Sequence, residues 1–190
     1  AALRSRRMQY YRHFVAILPF PAGATTHVKT PMHDRTDNDM GFWLMKSEPE
    51  DFSIDDLAAC KREPWTGVRN YQARNFMRDD MRIGDGVLFY HSNCPRPGIV
   101  GLARVASKAY PDPTQFDPQS DYYDPKSTAD APRWQLVDVA FERKLARTIT
   151  LAELRDMADV LGDFPLLARG NRLSVLPVTA AQWDTILGLI

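Results

Sequence analysis

The chain has 190 residues, 44% of them hydrophobic, which suits one domain with a sizeable core and an appendage. Lysine plus arginine number 24 and aspartate plus glutamate also 24, which excludes a global basic field as the means of holding nucleic acid; any such binding rests on a local site. Cys60 and Cys94 have neither metal-ligand spacing nor a disulfide framework, so a reduced, cytoplasmic setting is expected, and no apolar run approaches the roughly 18 residues of a membrane span.

Residues 1–39 differ in kind from the rest. Arg4, Arg6, Arg7, Arg12, Lys29 and Arg35 stand against Asp34, Asp37 and Asp39, and Pro19, Pro21, Gly23 and Pro31 leave no sustained period around one apolar patch, FVAILPF. Arginines before that patch and AGA after it imitate a secretory signal, but the prolines cut the apolar run short. The expectation is a disordered extension, or an upstream translation artefact with Met40 as the natural start. The folded domain is expected at 41–190.

FWLMK (42–46) reads as a short buried strand, and Ser53 is placed to cap a helix carrying Ile54, Leu57 and Ala58. Pro64 and Gly67 punctuate the next segment, after which a helix from about Asn70 puts Ala73, Phe76, Met77 and Asp80 on one side. IGDG ends it. VLFYHS (87–92) and IVGLARVASKAY (99–110) flank a loop with Pro95, Pro97 and Gly98 and read as an antiparallel pair. The stretch 111–133 holds Pro111, Pro113, Pro118, Pro125 and Pro132 beside Phe116, Tyr122 and Tyr123, and loops of that length are often functional. RWQLVDVAFERKL (133–145) alternates as a long strand, TLAE (150–153) and TAAQ (179–182) match the capping box before helices at 151–159 and 180–188, and NRLSVLPV supplies a last strand. About five strands and four short helices, interleaved without a strand-helix repeat, predict an α+β domain with a small, curved, mixed or antiparallel sheet.

Catalytic signatures are scarce: there is no phosphate-binding glycine loop, dinucleotide fingerprint, H-E-x-x-H or G-x-S-x-G. Of His13, His27, His33 and His91 only the last lies in the folded part, so neither a metal nor a cofactor is expected. Aromatic residues do recur beside hydrogen-bonding ones. Trp43, Trp65, Tyr90 and Trp134 lie adjacent to or a few residues from Lys46-Ser47-Glu48, Arg69-Asn70, His91-Ser92 and Arg133. Aromatic faces stack on any base for about 1 to 3 kcal/mol each, and the polar groups can address its edges. The combination suits a pocket for one flat heterocycle.

Each residue also has a plainer reading. Tryptophans pack cores, Lys46-Ser47-Glu48 can be a strand end with a solvated ion pair and a serine turn, and His91 alone reads as a partly buried, satisfied side chain. Pro64 and Gly67 can simply shape a helix start with Arg74 and Arg78 paired on its solvated face; alternatively Arg69 and the free amides there form a phosphate site.

Taken together, WLMKSEP, WTGVRNYQARNFMR, GDGVLFYHS, GIVGLARV, YPDPTQFD, PRW and NRLSV resemble the EVE-domain family, in order from Gly41 to about Leu189. The resemblance implies a PUA-like fold, a small curved or barrel-like mixed sheet with short helices at its edges, similar in kind to the YTH domains that hold a methylated adenine in an aromatic cage. It further implies a non-catalytic nucleic-acid-binding domain that extrudes a modified cytosine or adenine of DNA or RNA into a pocket; the chain is expected to be a monomer. On that basis Ser47 and Glu48 are expected on the base edge, Lys46 toward phosphate, Trp65 and Tyr90 as stacking faces, Arg69 and Asn70 on backbone and edge, His91 and Ser92 beside them, and Arg172 and Ser174 closing the site. Trp43 and Trp134 are weaker candidates. Two alternatives stand: an amidohydrolase acting on acylated nucleosides through Lys46, Ser47 and Glu48, and an adaptor with an aromatic groove for a protein partner.

Overall fold

Two apolar runs form the axis of the domain. β1 (Phe42–Ser47) has Trp43, Leu44 and Met45 fully buried, and β3 (Gly86–His91) has Val87, Leu88 and Phe89 fully buried. Strands covered on both faces suit parallel pairing, and these two run parallel from Phe42 opposite Gly86 to Ser47 opposite His91. The structure, a computed structural model, describes residues 40–190; the expectations for residues 1–39 lie outside the described residues.

A parallel pair needs a long crossover, here built from α1 (Ile54–Cys60), β2 (Arg62–Pro64) and α2 (Tyr71–Asn75). α2 runs on into a π-helical turn, Phe76–Asp80, with the Met81 amide donating to the Phe76 carbonyl at 2.9 Å. β4 (Gly98–Val105) returns antiparallel to β3, as the sequence predicts, and β7 (Asp138–Thr150) lies antiparallel to β4. β2 pairs with the start of β7 and β8 (Val175–Val178) with β1, so the sheet order is β2-β7-β4-β3-β1-β8. A separate ribbon, β5 (Tyr110–Pro111) against β6 (Gln135–Leu136), closes the base of the proline-rich segment. Register shifts between β4 and β7 at Ile99/Gly101 and Leu102/Ala103 sharpen the local twist and curl the sheet.

The alternation of β1 and β3 separates two cores. Trp43, Met45, Val87 and Phe89 face α1 and α2 with Ile54, Leu57, Ala73 and Met77. Leu44, Leu88 and Tyr90 face α3 (Leu151–Asp156), α4 (Ala158–Leu161) and α5 (Ala180–Leu187), with Leu154, Leu161, Phe164 and Ile186. Ser53, Thr150 and Thr179 all close capping boxes, each worth about 1 kcal/mol. The sheet is anchored at its other end by Asp85, 2% exposed, which accepts from the Gly41 amide at 2.9 Å and the Trp43 indole at 2.8 Å.

Some boundaries differ from expectation. The strand predicted over 99–110 stops at Val105, and the one predicted over 133–145 is interrupted at Val137, whose carbonyl accepts the Trp65 amide at 2.9 Å: Gln135–Leu136 pairs with β5, and the long strand runs from Asp138 to Thr150. The helix predicted over 151–159 breaks at Met157 into α3 and α4.

Candidate functional site

Side chains on a strand alternate between faces, and that rule divides the predicted site. At the paired ends of β1 and β3, Lys46 stands opposite Tyr90 and Ser47 opposite His91. Lys46, Tyr90 and Ser92 open onto the α3–α5 side; Ser47 and His91 lie on the α1–α2 side. Lys46-Ser47-Glu48 is therefore not one constellation. Ser47, fully buried, donates its hydroxyl to the Phe52 carbonyl, while Glu48 accepts from Asn93 Nδ2 at 2.9 Å. These three groups do not converge on one reacting atom, the arrangement that an amidohydrolase would require.

On the α1–α2 side the expected stacking face of Trp65 is covered. The residue is 0% exposed, its ring meeting Phe89 edge-on with centroids 5.5 Å apart. Yet its indole Nε1–H has no acceptor among the described residues. A buried donor left unpaired costs about 1 to 3 kcal/mol and calls for a physical reason. His91 is satisfied: its Nε2 accepts the Ile54 amide at 3.2 Å, and burial holds its pKa below the ordinary 6.5, favouring the neutral ring that can accept.

Arg69, expected on the nucleic-acid backbone, is instead engaged internally. It donates to Asp112 Oδ2 at 2.8 Å, to Thr114 Oγ1 at 2.8 Å and through Nε to the Tyr122 carbonyl at 2.9 Å. Asp112, 1% exposed, also accepts from the amides of Gly67 and Thr114, each at 2.9 Å. Gly67 has φ +83°, and a Cβ there would stand 2.7 Å from the Tyr122 ring, so the 111–134 segment packs directly over the Trp65–Gly67 turn. Asn70 caps α2, its Oδ1 accepting from Gln72 and Ala73 at 2.8 and 3.1 Å; the amides expected to bind phosphate are thus partly occupied by the chain itself.

An aromatic and cationic surface borders this cluster. Trp134 donates its indole N–H to Asp124 at 2.7 Å and stacks on Tyr71, centroids 4.8 Å apart. Tyr71 is 47% exposed, with the guanidinium groups of Arg74 and Arg133 5.0 and 5.6 Å from its ring centre. Arg74 and Arg78 do not act as the predicted pair: one donates to the Arg133 carbonyl, the other to Asp79. Sequence reasoning passed over Tyr71, although an aromatic at the first position of a helix beside two arginines was a usable signal.

On the α3–α5 side lies an open-sided cavity of about 460 Å³, with Arg155, Ala168, Arg169 and Gly170 exposed along its rim. Its lining combines the predicted Lys46, Tyr90 and Ser92 with Arg155, Arg169 and Leu167, which the sequence analysis did not single out. Arg172 and Ser174 are not in that lining; Ser174 contributes its carbonyl to the Lys46 amide at 2.8 Å, joining the approach of β8 to β1.

Comparison with known proteins adds the following. The family model described as EVE domain matches residues 41–189. The chain is similar to thymocyte nuclear protein 1 of Danio rerio, 45% identical over 185 residues, which cover 85% of this chain and 79% of that protein. It is 46% identical over 165 residues to thymocyte nuclear protein 1 of Homo sapiens, covering 77% of this chain and 72% of that one. A Pseudomonas syringae protein of known structure matches with a TM-score of 0.75 and 49% identity over 78% of this chain and 98% of its own. Human THYN1 protein, solved in complex with 5-methylcytosine-containing DNA, matches with a TM-score of 0.72 and 45% identity over 78% of this chain and 96% of that one. The expected α+β, PUA-like fold with its curled mixed sheet holds.

Proposed function

Because the chain belongs to the EVE-domain family, we propose that it is a nucleic-acid-binding domain that reads a modified nucleobase, with 5-methylcytosine in DNA as its first ligand, by drawing that base out of the stack. The observation that carries this reading is the human relative solved with 5-methylcytosine-containing DNA, which shares the fold over nearly its whole length. The geometry supports a base site at the Trp65–Gly67 turn. An unpaired indole N–H is a donor ready for an acceptor on a base edge, and a neighbouring aromatic core can return part of the stacking that extrusion loses, a few kcal/mol. The 111–134 segment packs on that turn through Tyr122 against Gly67, and Arg69 is one of the ties that hold it there. The exposed Tyr71 ring with Arg74 and Arg133 is suited to the strand that flanks the extruded base.

The test is a binding panel with the full chain: matched DNA and RNA carrying cytosine, 5-methylcytosine, 5-hydroxymethylcytosine or N6-methyladenine. A preference of roughly tenfold for the methylated cytosine is expected, since one methyl group in an apolar pocket discriminates by about 1 to 3 kcal/mol. Trp65→Phe keeps an aromatic ring in the core while deleting the N–H, and it should weaken binding of the modified base about five- to tenfold. Trp65→Ala is the poorer control, because emptying a fully buried indole site costs about 3 to 5 kcal/mol of stability. Equal binding to every oligonucleotide, unchanged by Trp65→Phe, would remove the base-reader function.

A further inference from the structure

The cavity lies on the far side of the sheet from Trp65. Strand alternation turns Lys46 away from Trp65, and the cavity it faces is lined by three cations, Lys46, Arg155 and Arg169, and by no carboxylate. Among the described residues no side-chain hydrogen bond or ion pair engages any of the three. Lys46 is the unusual one. Its stem is half-buried where β1 ends, and loss of water around the ammonium lowers its pKa from the ordinary 10.5. A partly desolvated charge without a counter-ion is unfavourable until an anion arrives.

The remaining walls are chemically divided. Leu151, Leu166, Leu167 and Pro97 are apolar, with Tyr90 beside them. Asn171 is consumed by the fold, donating to the Pro165 carbonyl at 2.7 Å and accepting the Leu173 amide at 2.9 Å. Asn93 is held by Glu48. Ser92 has only a long contact of 3.4 Å to the Ser47 carbonyl, so its hydroxyl can be redirected. The lining thus combines three cations with apolar side chains around a volume of about 460 Å³.

We propose that this cavity binds a phosphate ester of nucleotide size, with the phosphate on Lys46 between Arg155 and Arg169 and the organic part against Tyr90 and the leucines. The phosphate can come from a free nucleotide or from the backbone of a bound strand. This inference does not depend on the base site at Trp65, which lies on the opposite face.

The experiment is calorimetric titration of the full chain with a nucleoside monophosphate, the matching nucleoside and inorganic phosphate. It is repeated on Lys46→Met, which removes the charge at similar length, and on Leu167→Trp, which fills the cavity, with thermal unfolding as the check on folding. The monophosphate is expected to bind saturably, the nucleoside about tenfold more weakly or worse, and Lys46→Met to lose about tenfold or more. Displacement of the monophosphate by an unmodified oligonucleotide would assign the phosphate to a polymer; undisturbed binding would assign it to a free nucleotide, and both support the site. No saturable binding to the folded wild-type chain, or full binding by a folded Lys46→Met, would overturn it. Neither result touches the methylcytosine preference or its dependence on Trp65, so the two proposals fail separately.

Discussion

Replacing Arg69 by methionine separates an internal tie from a nucleic-acid contact. Methionine keeps much of the side chain's length but removes the donors to Asp112, Thr114 and the Tyr122 carbonyl. Asp112 is 1% exposed, and breaking a buried charge pair from one side typically costs about 3 to 5 kcal/mol. Three donors remain to it, the Gly67 amide and the Thr114 amide and hydroxyl, and the Arg69 side chain is itself 21% exposed. The loss should therefore fall at the low end, about 3 kcal/mol. Asp112→Asn in the same background removes the stranded charge and should recover part of that loss, a coupling of about 1 to 2 kcal/mol in a double-mutant cycle. Urea unfolding gives the stabilities, and hydrogen exchange should show amides of 111–134 exchanging faster in Arg69→Met than in the wild type. If Arg69→Met unfolds within about 0.5 kcal/mol of the wild type while DNA affinity collapses, Arg69 is a ligand contact and the tie is refuted.

The pKa of His91 is held below 6.5 by burial, so its neutral form stabilises the fold fully above that value; the contribution is lost as pH falls through 6.5 toward the lower folded value. The thermal midpoint of the wild type should drop more steeply between about pH 7 and 5 than that of His91→Gln, and parallel curves would contradict the Ile54-to-His91 hydrogen bond. A Cβ at Gly98 would sit 2.3 Å from the Ile149 carbonyl oxygen and 2.8 Å from Thr150 Cα, both backbone, so Gly98→Ala should cost about 2 kcal/mol and roughly 5 °C in the midpoint; an unchanged midpoint would mean that β4 and β7 can part there. Binding of DNA should weaken only gently with salt, with a log–log slope of about −2 to −3 for a few phosphate contacts, and a slope near −8 would demand a broad cationic face instead of a local site.

What the sequence disclosed and what it withheld divide along one physical line. Local signals held: the caps at Ser53, Thr150 and Thr179 are where their spacing puts them, and the β3–β4 pair is antiparallel across a short loop. Partners far along the chain were hidden. Nothing local tells that β1 lies parallel to β3, or that Asp112, more than forty residues away, claims Arg69. The two-sided character of the β1 end was, by contrast, legible in principle. A strand that buries Trp43 and Met45 on one face and Leu44 on the other must send Lys46 and Ser47 apart. Treating KSE as one cluster overlooked that alternation. The same alternation gives neighbouring residues separate tasks: Ser47 is buried on the α1–α2 side, bonded to the Phe52 carbonyl, and Lys46 lines a cationic cavity across the sheet. Substitution at 47 should then disturb folding and base recognition together, whereas substitution at 46 should alter phosphate binding in a domain that still folds.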